Sequence, residues 1–331
     1  MRSIIAAVIV TFSAALPALA QEGPTASIKE VPPTKRVSAP GKNQQAVRVT
    51  GVRFAYPLVQ KWIDDFNKEY PDIQVIIESR GSSDPSQYDV LIEAYEHSDE
   101  IKKSREYIYF ARYAILLVAN SSSKFAAKYG DKGLNKDLIL QLFFHDIYAD
   151  KENQREINDQ YTIYTRLQKA GLPITFSNYF GYEQKDVKGK AIAGADEHLL
   201  KAILRDSTGV SYLPLSLIYD DETKKVKNGL TVLPVDLNGN DKVNDEEKFY
   251  EELSVVTKRL DNASLKQTKN VPIEYLHFSV DKKGVSADAI TFLRWVVRNG
   301  EKDLHDFGYL NPEPQRLEMD KFEQFASKRA K

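Results

Sequence analysis

The stretch AVRVTGVRFAYPLVQKWIDDF, residues 46–66, places an apolar strand, a glycine, an arginine and a helix in immediate succession. Pro57 suits the first turn of that helix, and the apolar residues after it recur at helical spacing. They form one face, which consists of Leu58, Val59, Trp62, Ile63 and Phe66. Backbone N–H groups at strand–glycine–helix junctions often bind anions. Arg53 is therefore either a planar cation that binds an anion at the crevice end of the strand, or a solvated charge beside a tight turn.

The alternation of strands and helices continues along the chain. Apolar and β-branched runs predict strands at 73–79, 88–94, 113–120, 160–168, 209–217 and 274–281, and helical periodicity predicts helices at 134–144, 195–206 and 286–300. In the last of these helices, Ser286 is the expected N-cap and Gly300 the expected stop. Such alternation predicts an α/β fold with largely parallel strand pairing and right-handed crossovers.

The amino terminus has the pattern of an export signal. Residues 1–20 combine one basic residue, an apolar run interrupted by polar residues and proline, and an Ala-Leu-Ala end. We expect a signal peptide cleaved after Ala20, followed over residues 21–45 by a flexible linker with four prolines and little apolar periodicity. No later run reaches the roughly 18 consecutive apolar residues that a transmembrane helix needs.

The composition excludes several classes of function. The chain has no cysteine, which excludes disulfides, thiolate catalysis, cysteine-type zinc sites and a lipid-modified cysteine anchor. Its formal net charge of −1 does not favour binding to nucleic acid or to an anionic membrane. The five histidines are scattered, and no nucleophile-elbow, phosphate-loop or dinucleotide motif is present. We therefore expect neither an enzyme nor a histidine-based metal site.

Seven segments, in this order, resemble landmarks of the substrate-binding proteins of phosphate-type ABC uptake transporters. They are TGVRFAYPLVQKW (50–62), RGSSD (80–84), YDVLIEA (88–94), YAILLVAN (113–120), YTRLQKAG (164–171), DSTGVSY (206–212) and FLRWVVRNGEKDLHDFGYL (292–310). The resemblance covers about residues 48–310 and implies a two-lobed periplasmic binding protein of type II, with mixed sheets flanked by helices and a cleft between the lobes. It implies one lobe at 46–116 plus 273–331 and the other at 117–272.

The resemblance also implies an anion site without catalysis. In such a site, backbone N–H groups at helix starts, hydroxyl groups and an arginine hold the ligand. The residues that it transfers, together with Arg53, are Gly51, Phe54, Ser82, Ser83 and Arg166. For the two serines the alternative is ordinary turn and helix-cap chemistry, and for Arg166 it is a structural role after a strand. Asp89 and Glu93 are weaker candidates, which we interpret as strand-edge charges.

The sequence departs from the family pattern in two places. Val52 and Arg53 stand where small residues are usual, and after Arg166 the segment LQKAGLPITF replaces a turn of small residues. Pro173 in that segment has no N–H to donate. These departures put phosphate itself in question but leave the two-lobed architecture in place.

Residues 236–247, DLNGNDKVNDEE, match the spacing of a calcium-binding loop. The expected ligands are side-chain oxygens of Asp236, Asn238, Asn240 and Glu247 and the backbone carbonyl of Lys242. Asp241 stands where glycine is usual, and aspartate tolerates the positive φ of that position. The alternative is a polar turn that caps a helix over residues 245–260. No cofactor is expected apart from Ca²⁺, if this loop binds it.

These patterns predict a non-catalytic, monomeric solute-binding protein of the periplasm. It would capture a small oxyanion, phosphate or a related anion, and deliver it to an ABC permease in the inner membrane, with no nucleic-acid partner. The alternative is an exported scaffold or signalling partner that keeps the binding-protein fold but has lost phosphate binding.

Overall fold

The computed structural model describes residues 46–79, 87–144, 160–264, 267–312 and 319–327 of the 331-residue chain. The predicted signal peptide and linker, together with Ser82 and Ser83, lie outside these described residues. Within the described ranges, no helix combines the length and apolarity needed to cross a membrane.

Strands and helices alternate along the described part of the chain. The strands are β1 Val47–Gly51, β2 Val75–Ile77, β3 Val90–Glu93, β4 Arg105–Asn120, β5 Thr162–Arg166, β6 Lys190–Ile192, β7 Gly209–Pro214, β8 Leu230–Val232 and β9 Ile273–Asp281. The helices are α1 Tyr56–Glu69, α2 Asp99–Ser104, α3 Lys124–Lys132, α4 Lys136–Phe143, α5 Gly171–Tyr179, α6 Asp196–Arg205, α7 Leu215–Ile218, α8 Leu253–Asn262, α9 Ala287–Asn299 and α10 Met319–Ser327.

The strands are ordered β2-β1-β3-β9-β4-β7-β5-β6, with β8 also paired to β4. The β1–β2, β1–β3, β5–β6 and β5–β7 pairs are parallel. The β3–β9, β4–β7, β4–β8 and β4–β9 pairs are antiparallel. The expectation of largely parallel pairing is therefore wrong, because β4 and β9 insert antiparallel between the parallel strands. The mixed sheets implied by the resemblance are what the structure shows.

Strand β4 connects the two halves of this arrangement. Its first part, Arg105–Ala114, pairs with β9, and its second part, Ile115–Asn120, pairs with β7 and β8. We call β1, β2, β3 and β9 the first strand group, and β5 to β8 the second strand group. The second part of β4 is buried throughout, as its uninterrupted apolar sequence predicts. The lobe boundaries given above stay a prediction.

Helix α1 covers the first strand group with the apolar face that the sequence predicts. All five predicted residues of that face are buried. The Trp62 ring lies edge-on to Phe110 at 5.3 Å between centroids, and Phe66 contacts Phe292 of α9 at 5.3 Å. Full burial of each apolar side chain on the α1 face stabilises the fold by about 1.5–3 kcal/mol.

Helix α9 begins as predicted, because the Ser286 hydroxyl accepts a hydrogen bond from the Ala289 N–H at 3.1 Å.

Several predicted elements have different limits in the structure, and the strand predicted over 113–120 begins at Arg105. The strand predicted over 209–217 ends at Pro214, where the short helix α7 begins. The helix predicted over 245–260 begins only at Leu253, after a single 3-10 turn at Asp245–Glu247. Just before α8, Glu252 has extended backbone angles and forms an antiparallel bridge with Lys225. Periodicity in the sequence did not reveal that distant partner.

Candidate functional site

A cavity of about 570 Å³ lies where the ends of β1 and β3 meet the end of β5 and the starts of α5 and α6. We call it the central cavity. Its wall includes Gly51, Arg53 and Arg166, three of the predicted site residues. Phe54 is not among the lining residues: its side chain is buried and its ring contacts Tyr113 at 5.3 Å between centroids. The structure thus brings the two predicted arginines to one cavity.

Gly51 is required by the packing of β1 against β3. Its φ is +142°, and a Cβ at this position would lie 2.1 Å from the carbonyl oxygen of Ile92. The Gly51 N–H donates a hydrogen bond to the Tyr56 hydroxyl at 3.2 Å, and the Tyr56 hydroxyl lies equally close to the Gly51 carbonyl oxygen. This amide, a predicted anion donor, therefore already has an acceptor.

Arg53 lies at the edge of the central cavity and is exposed to solvent. Its Nη2 donates a hydrogen bond to the Ser79 carbonyl oxygen at 3.2 Å, and its other guanidinium donors have no hydrogen-bond acceptor among the described residues. This position is compatible with both interpretations of Arg53, because the side chain is solvated and also borders the cavity.

Arg166 is the most buried cation of the cavity wall, with 11% of its side chain exposed. Its Nη1 donates to Asp196 Oδ1 at 2.7 Å, and within the described residues its buried Nε has no acceptor. Burial raises the pKa of the Asp196 carboxyl, and the neighbouring Arg166 opposes that rise. Sequence reasoning missed Asp196, although its place in the first turn of α6 is a signal that it faces the strand ends.

Glu93 lies in the cavity wall at the end of β3 rather than at an exposed strand edge. Its Oε1 is 2.6 Å from His97 Nε2, and its Oε2 is 3.7 Å from Nε2 of the fully buried His277. Burial opposes ionisation, but the imidazoles of His277 and His97 and the Ser279 hydroxyl outweigh it and lower the pKa of Glu93 to about 2. Glu93 is therefore a carboxylate at neutral pH.

Asp89, the other acidic candidate, has a structural role. Its Oδ2 accepts a hydrogen bond from the Arg48 N–H at 2.8 Å, which joins it to β1. It is also outside the set of residues that line the central cavity.

Three helix starts border the central cavity. They are the 3-10 turn that begins at Arg53 and leads into α1, the start of α5 at Gly171, and the start of α6 at Asp196. The N-terminal end of a helix carries a partial positive charge and free N–H groups. The wall of the cavity therefore carries positive charge from these helix starts and from Arg53, Arg166 and Lys169. It carries negative charge from Glu93 and Asp196.

A buried hydrogen-bonded link joins strand β4, the end of β3 and helix α5 beside this cavity. The Tyr113 hydroxyl of β4 donates to the Ala94 carbonyl oxygen at 2.6 Å and lies 2.7 Å from the Thr175 hydroxyl of α5. A Cβ on Gly171, at the start of α5, would lie 2.8 Å from the Ala94 Cβ. Helix α5 therefore packs directly on the end of β3, and the Thr175 hydroxyl is already engaged within the protein.

No protein-family model matches the chain, and no curated protein matches it. Among solved structures, the chain is similar to a Clostridium perfringens protein assigned as a phosphate ABC transporter substrate-binding protein, with bound phosphate. The two are 13% identical, the match covers 81% of this chain and 100% of that one, and the TM-score is 0.60. An ABC-type phosphate transport receptor from Vibrio cholerae is 11% identical, with the same coverages and a TM-score of 0.52.

The chain has the two-lobed fold of a type II periplasmic binding protein. The fold inferred from the seven sequence segments is thereby confirmed. At 11–13% identity the likeness concerns the fold and not the ligand. In the binding-protein fold of this chain, the central cavity contains residues from both strand groups.

The loop 236–247, which matches the spacing of a calcium-binding loop, is held by hydrogen bonds from its own backbone N–H groups. Asp236 accepts hydrogen bonds from the N–H groups of Gly239 at 2.7 Å and Asp241 at 2.8 Å. Glu247 accepts from those of Leu237 and Asn244, both at 2.8 Å. Asp241 has the positive φ, +65°, that its position requires.

The amide side chains of this loop take part in the same pattern of hydrogen bonds. The side-chain oxygens of Asn238 and Asn240 likewise accept backbone N–H groups, at 3.0 and 3.1 Å. Within the described residues, no group of three or more His, Cys, Asp or Glu is arranged to hold a metal ion. Calcium binding at this loop stays a prediction.

Proposed function

We propose that the chain is a non-catalytic binding protein that holds a small anion-bearing solute in the central cavity. The observation that carries this proposal is the convergence of Arg53, Arg166 and Lys169 on one cavity, with Arg166 nearly buried. An anion that hydrogen-bonds to one of these cations gains a charge-assisted contact worth about 1.5–3 kcal/mol. An anion also matches the helix starts that border the cavity.

Both strand groups supply cations to the proposed ligand. Arg53 follows β1 of the first group, Arg166 ends β5 of the second, and both line the central cavity. A ligand that touches both groups stabilises the arrangement in which they are closed around it. The fold and the absence of any nucleophile–base pair in the sequence support binding rather than catalysis.

The proposed ligand class is a small oxyanion, of which phosphate is one member. The Clostridium perfringens structure contains phosphate, which supports an oxyanion here only through the shared fold. In this chain the Gly51 amide and Arg166 Nη1 already have partners, which weakens the argument for phosphate over other anions.

The proposal also includes export of the protein to the periplasm and delivery of its ligand to a transporter. The signal-peptide pattern of residues 1–20 supports secretion to the periplasm, and the fold shared with a phosphate transport receptor supports delivery to an ABC permease. In this role the protein acts as a monomer.

Isothermal titration with phosphate, sulfate and acetate tests the binding function. We expect heat from at least one of them, and a loss of affinity of about tenfold or more in Arg53→Ala, because a charge-assisted contact is worth about 1.5–3 kcal/mol. Arg205→Ala is the matched control, because Arg205 is an exposed arginine of α6 outside the cavity. Absence of heat from all three anions, with a folded sample, would refute binding of these small anions.

An exported scaffold that keeps the fold without binding an anion is the second candidate. It is favoured by the internal partners of three groups that would otherwise bind a ligand: the Gly51 amide, Arg166 Nη1 and the Thr175 hydroxyl. In that case the melting temperature would not rise with any of the three anions, since only a ligand that binds the folded state stabilises it.

A further inference from the structure

A second cavity, of about 640 Å³, adjoins the central cavity at Arg166. We call it the side cavity. It lies between β5, β6 and α5, and its wall includes Thr165, Ile174, Val187 and Ala191. Arg166 and Lys169 line both cavities, so these two cations stand at the boundary between them.

The sizes of the cavities exceed what an inorganic oxyanion fills. Organic ligands of drug size occupy pockets of about 300–1,000 Å³, and the central and side cavities both fall in that range. Phosphate or sulfate has only five non-hydrogen atoms, so it would contact one corner of such a space. Most of the wall would then remain in contact with water.

The wall of the side cavity is more apolar than its boundary with the central cavity, where Arg166 and Lys169 lie. Leu167, Ile174, Val187 and Ala191 give it apolar surface, and Leu167 is 62% exposed to solvent. Its remaining charges are Glu183 and Lys185, which form an ion pair with each other at 2.9 Å. A neutral, partly apolar group therefore fits the side cavity better than a second anion does.

We propose that the solute is an organic anion whose charged group binds at Arg166 and whose carbon-containing part occupies the side cavity. This inference rests on the proposed anion-binding function and names the class of ligand for the same site. The Arg166 and Lys169 cations hold the anionic group at the boundary. Burial of the apolar part against Ile174 and Val187 adds affinity in proportion to the area removed from water.

Titration with two matched pairs of ligands tests this assignment: phosphate against phenyl phosphate, and acetate against benzoate. We expect the aromatic member of at least one pair to bind ten times or more tightly than its small counterpart. Ala191→Trp fills the side cavity from an exposed position on β6, where the core is not disturbed. We expect it to remove the advantage of the aromatic member and to change the affinity for the small anion by less than twofold.

The control variant is Ala127→Trp, which adds the same side chain at an exposed position of α3 outside both cavities. It should leave all four affinities unchanged. Equal affinities within each pair, or equal losses of both members in Ala191→Trp, would overturn the inference while small-anion binding still supports the proposed function. If none of the four ligands binds the folded protein, the proposed function fails with it.

Discussion

Replacement of Arg166 by methionine is expected to lower the free energy of unfolding by about 3–5 kcal/mol at pH 7, because the change leaves a buried carboxylate without its cation. Asp196, its partner at 2.7 Å, is 4% exposed. Removal of one member of such a pair is costly, whereas removal of both with apolar substitutes is often tolerated. We therefore expect Arg166→Met/Asp196→Leu to recover at least half of the loss.

The loss should also depend on pH. Burial raises the pKa of Asp196, and Arg166 lowers it, so the pKa rises further in Arg166→Met. A carboxyl group with a raised folded-state pKa stabilises the fold when it is protonated, and this contribution disappears as the pH rises through that pKa. The difference in stability between wild type and Arg166→Met should therefore be smaller at pH 5 than at pH 8.

Urea unfolding followed by circular dichroism measures all three proteins at both pH values. The reasoning would be refuted by an Arg166→Met protein as stable as the wild type at pH 7. It would be refuted equally by a double variant less stable than Arg166→Met, because the buried charge of Asp196 would then not be the cause.

Three further perturbations test other parts of the structure. Gly51→Ala should cost about 3 kcal/mol or more in thermal unfolding, whereas Gly181→Ala, at φ +86° with open space around it, should cost only about 1–2 kcal/mol; equal losses would contradict the steric argument. Because the pKa of Glu93 is lowered to about 2, its contribution, up to about 3 kcal/mol, is present above pH ~4.3 and is lost as the pH falls toward 2. Glu93→Gln should therefore lose less stability than the wild type between pH 5 and pH 3 in urea titrations, and parallel curves would rule this out. Chelation with EDTA should lower the melting temperature by less than about 2 °C, or under ~1 kcal/mol, because the loop 236–247 is held by its own amides; a larger fall that CaCl₂ reverses would show a bound cation.

The sequence was sufficient wherever structure follows from local spacing. The buried face of α1, the Ser286 cap of α9 and the buried second part of β4 are set by residues within a few positions of each other. Asp241 was expected to adopt positive φ from its place in the loop alone, and it does. The order of seven landmarks was enough to infer the fold, since each marks a strand, a helix or a junction whose place in the chain is set by the fold.

The pairing of charges at the site depends on distant partners, and the sequence did not reveal it. Glu93 faces His277, 184 positions further along, because β9 inserts antiparallel beside β3 and places those two residues in register. Arg166 meets Asp196 because α6 begins beside the end of β5. Local patterns do not encode which strand inserts where, so they could not predict which cations already have partners.

The Tyr113–Thr175 link bears on how such a site would bind its ligand. In a hinged binding protein, the apparent affinity is the intrinsic affinity scaled by the fraction of molecules already in the binding-competent arrangement. Here the Tyr113, Thr175 and Ala94 hydrogen bonds, at 2.6 and 2.7 Å, hold α5 on β3 by contacts of the protein itself. Each buried hydrogen bond contributes about 0.5–1.5 kcal/mol. A ligand of the proposed site would therefore have less of such a closure to stabilise, and more of its contact energy with the cavity cations would contribute to affinity.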